Sequence, residues 1–174
     1  LEYAHLPMVL GQDKKRLSKR NAVTSLQDYF DQGYLESSII NMLARLGWSK
    51  GDKEIFYLED LISDFRIQEV QKAGAIFDPS KLDWINNHHL AALSFDDFKN
   101  RLIPFLDALG LDYMQKKNNN EIIAAMRSSK PNLLGVAQDL IPYFSELSSY
   151  DDKAANKFLI GSEKVLEFVQ RKLN

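Results

Sequence analysis

The residues best suited to chemistry in this chain crowd into one short stretch. Lys14, Lys15, Arg16, Lys19 and Arg20 fall within seven residues, and Ser18 lies among them. A flexible loop with cations around a small hydroxyl residue can wrap a polyphosphate. The Lys19 ammonium is a compact point charge, able to follow phosphate oxygens as charge moves during a transfer. Ser18 can donate from its hydroxyl or fix the loop through its backbone. For the string Arg16-Leu17-Ser18-Lys19-Arg20 alone, the simpler reading is a solvated basic loop, because Lys and Arg clusters are common on surfaces.

Other residues carry weaker signals. There is no cysteine, which removes disulfides, thiolate metal sites and cysteine nucleophiles. His5, His88 and His89 form no i,i+4 pair and have no acid cluster beside them, so no metal site is expected. Trp48 reads as core at a helix end. Trp84 shares a helical face with Lys81, and together they can present an aromatic edge and a cation to an RNA backbone. Lys116, Lys117, Arg127 and Lys130 read as solvated, with some of them available to RNA phosphate. Asp96-Asp97 and Asp151-Asp152 read as acids that complement helix N-termini.

The elements that must position these residues follow from pattern. Leu6-Pro7-Met8-Val9-Leu10 with Gly11-Gln12-Asp13 predicts a strand or loose hairpin opening into the basic loop. Thr24 or Ser25 caps a short helix through Phe30 that closes near Gly33. Ile39, Ile40, Leu43 and Leu46 recur at helical spacing, so a helix over about 35–46 is expected, with Gly47 in the C′ position. Further helices are expected over 58–65 and from Asp78-Pro79 to about Leu93. Ser94 then caps a helix whose Phe95, Phe98, Leu102, Phe105 and Leu109 should face inward, ended by Gly110. Helices over about 119–128, 132–144, 151–160 and 162–173 complete the pattern. The change of character near 92–95 places a domain boundary there, with residues 1–93 before it and an all-helical bundle over 94–174 after it.

Composition sets outer bounds. Of 174 residues, 45% are hydrophobic and 26% charged, enough for a core and against disorder. Net charge is −2, so basicity is local, on an acidic body. No apolar run approaches the ~20 residues of a membrane span. The opening Leu1-Glu2-Tyr3 has no initiator Met and no signal pattern, and reads as a cut inside a longer protein.

Three blocks in order resemble one family. Arg16-Leu17-Ser18-Lys19-Arg20 is similar to the K-M-S-K-S signature loop of class I aminoacyl-tRNA synthetases, which glutamyl-tRNA synthetases commonly write K-[LI]-S-K-R. Arg16 stands at its first position and the second lysine is kept as Lys19. Asn41-Met42-Leu43-Ala44-Arg45-Leu46-Gly47-Trp48 looks like the family's N-x-L-x-x-L-G-W helix. Phe77-Asp78 with Lys81-Leu82-Asp83-Trp84-Ile85-Asn86 looks like its F-D-x-x-K-L-x-W-x-N segment. The H-I-G-H signature is absent.

The resemblance to bacterial-type glutamyl-tRNA synthetases implies a mainly α chain. It would comprise the end of a class I nucleotide-binding catalytic domain with a stem-contact region and few short strands, then a truncated helical anticodon-binding bundle. It implies a glutamate–tRNA ligase working through glutamyl-adenylate. Lys19 would be catalytic, and Arg16, Leu17, Ser18, Lys19 and Arg20 would form the ATP-binding loop. ATP would arrive with Mg that this chain does not bind. Lys81, Trp84, Arg127 and Lys130 would touch tRNA(Glu), and glutamate would be held by an upstream domain. A cytoplasmic monomer with no membrane partner is expected, inactive without the upstream domain. One segment departs from the family: an arginine that reaches the anticodon in many relatives falls on Ser129 here. The alternative is a non-catalytic helical RNA-binding or adaptor module.

Overall fold

The computed structural model describes Tyr3, residues 5–17 and residues 25–145. Ser18, Lys19, Arg20, Thr24, Asp151, Asp152 and the helices expected over 151–160 and 162–173 lie outside the described residues. Leu1–Phe144 is one compact unit and Ser145–Asn174 another; of the second, only Ser145 is described.

The N-terminal arm is a hairpin, with an addition that local pattern did not reveal. Its strand β1 (Val9–Leu10) turns through Gly11–Lys15, and Arg16 bridges back to Leu10 in antiparallel fashion. On its other side β1 pairs in parallel with β2 (Ala75–Ile76), with Val9 opposite Ala75 and Leu10 opposite Ile76. A pairing across more than sixty residues leaves no trace in local alternation. Gly74 permits it, because a Cβ there would stand 3.1 Å from the Met8 carbonyl oxygen.

The helices start where their caps are. Ser25 and Asp28 form a capping box on α1 (Leu26–Asp31). Helix α2 (Glu36–Arg45) buries Ser38, Ile39, Asn41 and Met42. Its Ile40 and Leu43 are exposed and line an apolar cavity of about 570 Å3 with Leu6, Leu58, Ile62 and Phe65. Gly47 has no positive φ. It serves close packing, with Val70 Cγ1 3.1 Å from where its Cβ would be. Helix α3 (Leu58–Asp64) follows, and Asp78 caps α4 (Pro79–Ala92) with proline at its first turn.

Ser94 caps α5 (Phe95–Ala108), which Gly110 closes at φ 67°. Phe98, Leu102 and Leu106 are fully buried, each contributing about 1.5–3 kcal/mol of burial. Phe95 and Phe105 are half-buried, and Leu109, expected inside, is exposed at the helix end. After α6 (Asn119–Met126), the helix expected over 132–144 is two: α7 (Leu133–Asp139) and α8 (Ile141–Phe144), broken at Leu140. Among the described residues from 95 onward there is no strand.

The core runs across residues 93–94. Leu35 before α2 and Leu90 of α4 share one cluster with Phe98, Leu102, Leu106, Ile123, Val136 and Leu140. Gly33 is the closest approach. At φ 80° it lets its carbonyl accept from Leu133 N at 3.2 Å, and a Cβ there would meet Leu133 Cβ at 2.6 Å. Smaller clusters hold Ile39, Met42, Leu82 and Ile85, and Trp48 with Phe56 and Leu61.

Candidate functional site

The basic stretch is entered from a fastened stem. Gly11 N donates to Lys15 O at 2.9 Å and Leu17 N to Val9 O at 3.1 Å, while Asp13 Oδ1 accepts from Lys15 N at 3.0 Å. Lys14 sits at φ 59°, a left-handed turn position that suits glycine and costs a lysine about 1 kcal/mol. Gln12 Nε2 donates to Asp78 Oδ1 at 3.0 Å, and the same oxygen accepts from Ser80 N at the start of α4. Phe77 N donates to Leu10 O at 2.8 Å. The stem and the α4 N-terminus are therefore one joined piece. Lys14, Lys15 and Arg16 are exposed, and no ion pair among the described residues involves them. Leu17 is half-buried.

Helix α4 brings Lys81 and Trp84 together on one exposed face, with Lys81 Nζ 5.7 Å from the Trp84 ring centroid. Trp84 is 42% exposed and its ring lies 4.2 Å from that of His88. Lys81 is not a free cation. It pairs with Glu54, whose other oxygen takes Arg45 Nη2 at 2.7 Å. A phosphate at Lys81 has to compete with that carboxylate. Trp48, at 2% exposure, is core, and its Nε1 donates to Glu69 at 3.0 Å.

The buried faces of α2 and α4 carry polar residues that composition hides. Asn86 Oδ1 accepts from Leu35 N at 2.9 Å and Ser38 Oγ lies 2.5 Å from it, while Asn86 Nδ2 donates to Pro131 O at 2.6 Å. Asn41 Oδ1 accepts from Phe56 N at 2.9 Å and from His89 Nε2 at 3.2 Å, and its Nδ2 donates to Glu54 O at 3.1 Å. Sequence reading met Asn41 and Asn86 only as motif letters. The available signal was a polar residue on an otherwise apolar helical face. The Tyr34 hydroxyl, donating to Asp83, is pushed up to about 12, mainly by burial and then by that bond.

His89 is buried against Tyr57, and burial, then the neighbouring His88, lowers its pKa below the usual 6.5. The unfolded chain then binds the proton first. Stability is expected to be full above about pH 6.5 and to fall as pH drops from there towards the lowered folded value. Thermal melts across pH 5–7.5 check this: His89→Gln, which keeps a donor for Asn41, should flatten the slope. An equal slope in both proteins assigns it to other groups.

Arg127, expected as a solvated cation, is half-buried. Its Nε and Nη2 donate to Leu90 O at 3.2 and 2.5 Å, Nη2 also reaches Leu93 O at 2.5 Å, and the guanidinium lies 5.1 Å over the Phe98 ring. Lys130 is about half exposed, with Asp139 3.8 Å away, and Ser129 is exposed. Among the described residues no group of three His, Asp or Glu is placed to hold a metal ion, and no helix is long and apolar enough to cross a membrane.

Residues 1–84 match the family of class I tRNA synthetases (E and Q), catalytic domain. Residues 1–84 belong to that family. It is 38% identical over 173 residues to the glutamate–tRNA ligase of Geobacter sulfurreducens, covering 99% of this chain and 37% of that protein. It is 41% identical over 161 residues to the glutamate–tRNA ligase of Moorella thermoacetica, covering 89% and 33%. A crystal structure of a glutamate tRNA ligase from Elizabethkingia meningosepticum, in complex with its amino acid, superposes with a TM-score of 0.77 at 29% identity, over 95% of this chain and 36% of that one. The chain thus spans about a third of these relatives' length, and the family match stops within α4, eight residues before that helix ends.

Proposed function

We propose that the chain is part of an ATP-dependent glutamate–tRNA ligase, supplying the loop that handles ATP phosphates and part of the tRNA-binding surface. The observation that carries this is the fastened hairpin: Lys14, Lys15 and Arg16, exposed and in no ion pair among the described residues, stand on a stem tied to α4 and lead into the stretch similar to the K-M-S-K-S signature. In the reaction a glutamate carboxylate oxygen attacks the α-phosphorus of ATP. The bond to the bridging oxygen breaks, leaving glutamyl-adenylate and pyrophosphate. A terminal ribose hydroxyl of tRNA then attacks the acyl carbon, loses its proton, and expels AMP. Lys19 stabilises charge on the transferring phosphates, and Arg16, Leu17, Ser18 and Arg20 shape the loop. Glutamate and adenine are held by parts of the protein outside this chain. Residues 1–93 end the catalytic half and 94–174 begin the helical tRNA-binding part. Lys81, Trp84 and Lys130 contact tRNA, and Arg127 lies beside Lys130 in the chain. The whole protein works in the cytoplasm as a monomer.

The chain alone is expected to bind tRNA weakly and with strong salt dependence, because its contacts are a few cations to phosphate. Base readout is expected to be poor, since Ser129 cannot make the bidentate contact of an arginine. Titration of glutamate tRNA and an unrelated tRNA should give similar affinities at low salt and loss of both at physiological salt. Tight, salt-resistant binding with at least about tenfold preference for glutamate tRNA would show that the helices after Ser94 carry base-specific recognition.

A further inference from the structure

Arg127 and Asn86 fix a short exposed loop to α4 from its two ends. At one end the Arg127 guanidinium caps the last carbonyls of α4, on Leu90 and Leu93. Leu90 O also accepts from Leu93 N at 3.3 Å, within the last turn, and a cation on these terminal carbonyls meets the negative end of the helix dipole. At the other end Asn86 Nδ2 holds Pro131 O at 2.6 Å. Between them Ser128, Ser129 and Lys130 are exposed, and Ser129 N donates to Met126 O at 3.0 Å. Beyond them Asn132 caps α7. The opposite stretch of α4 carries Lys81 and Trp84. One helix is thus the spine for two exposed cation-bearing surfaces.

We propose that Arg127 is a positioning residue for RNA contact: it touches no phosphate, and instead pins the 127–131 loop to α4 so that Lys130 is displayed in a preorganised place. This rests on the tRNA-binding reading above. Pinning removes conformations that binding would otherwise have to freeze, which raises affinity without a new contact.

The experiment has two arms on the 174-residue chain. The first reads the pin without RNA, as hydrogen exchange at the Ser129 amide. Protection should fall about tenfold or more in Arg127→Ala, less in Arg127→Lys, and stay unchanged in Lys130→Ala. The second is a double-mutant cycle on tRNA affinity at low salt. Lys130→Ala should weaken binding and lower the salt slope by about 1. Arg127→Ala should weaken binding no more than that, and the double variant no further than Lys130→Ala alone.

Additive losses, with the salt slope falling by about 2 in the double variant, would make Arg127 a direct phosphate contact and overturn the proposal. So would unchanged Ser129 protection in both Arg127 variants. If Arg127→Ala does not fold, Arg127→Lys carries both arms, since a single ammonium cannot reproduce the fork across two carbonyls. Absence of any tRNA binding by the unmodified chain overturns the RNA role and the tRNA-binding reading together, and the exchange arm then decides whether the pin exists.

Discussion

Replacing Lys19 with alanine, in a protein that includes the preceding catalytic portion, is expected to slow glutamyl-adenylate formation about 10²–10³-fold. That is the usual loss when one donor aimed at developing charge is removed. The phosphates gain and redistribute charge during the transfer, and a lysine on a loop can follow them. The effect should appear in pyrophosphate exchange at saturating ATP, with tRNA affinity hardly changed. Arg16→Ala should cost less, because Lys15 lies one place away. Lys19 itself lies outside the described residues. What the structure gives is its root: Leu17 N on Val9 O, Gly11 N on Lys15 O, and Gln12 on Asp78 fix where the loop leaves the body. Unchanged pyrophosphate exchange in the Lys19 variant would remove it from the mechanism and leave the basic stretch a solvated surface.

Helix starts were legible because capping is local: Ser25, Asp78 and Ser94 each accept from a backbone amide two or three residues on. The parallel β1–β2 pair was not legible, because its partners are far apart and each strand is two residues long. Ile40 and Leu43 share the helical period of a core face, yet they line an open apolar cavity. Periodicity reports that a face is apolar and not what covers it. The basic stretch was legible as charge, and Lys81 with Trp84 as a face. Their restraints were not, because the Glu54 carboxylate that holds Lys81 comes from another segment. The bonds of Arg127 were not legible for the same reason: its partners are backbone carbonyls more than thirty residues away.

Asn86→Ala is expected to lower stability by about 3–5 kcal/mol and the melting temperature by roughly 10 °C. Asn86 is fully buried and uses both ends of its amide. Its oxygen takes the Leu35 amide at the start of α2, and its nitrogen reaches the Pro131 carbonyl before α7. Alanine leaves the buried Leu35 donor and the half-buried Pro131 acceptor without that partner, each costing about 1–3 kcal/mol, and adds a small cavity. Those partners are backbone groups fixed by their own elements, so they cannot turn to find new ones. Asn87, one position along and half-buried, makes no such bond among the described residues, and Asn87→Ala should stay within about 0.5 kcal/mol of the parent chain. Thermal and urea melts of the two variants beside the parent settle the matter. A fall of less than about 3 °C for Asn86→Ala would mean that water or a shifted Ser38 replaces the lost bonds. The joint of α2, α4 and α7 would then rest on the apolar packing of Leu35, Leu90 and Leu133, with Leu133 N on Gly33 O and His89 on Asn41 beside it.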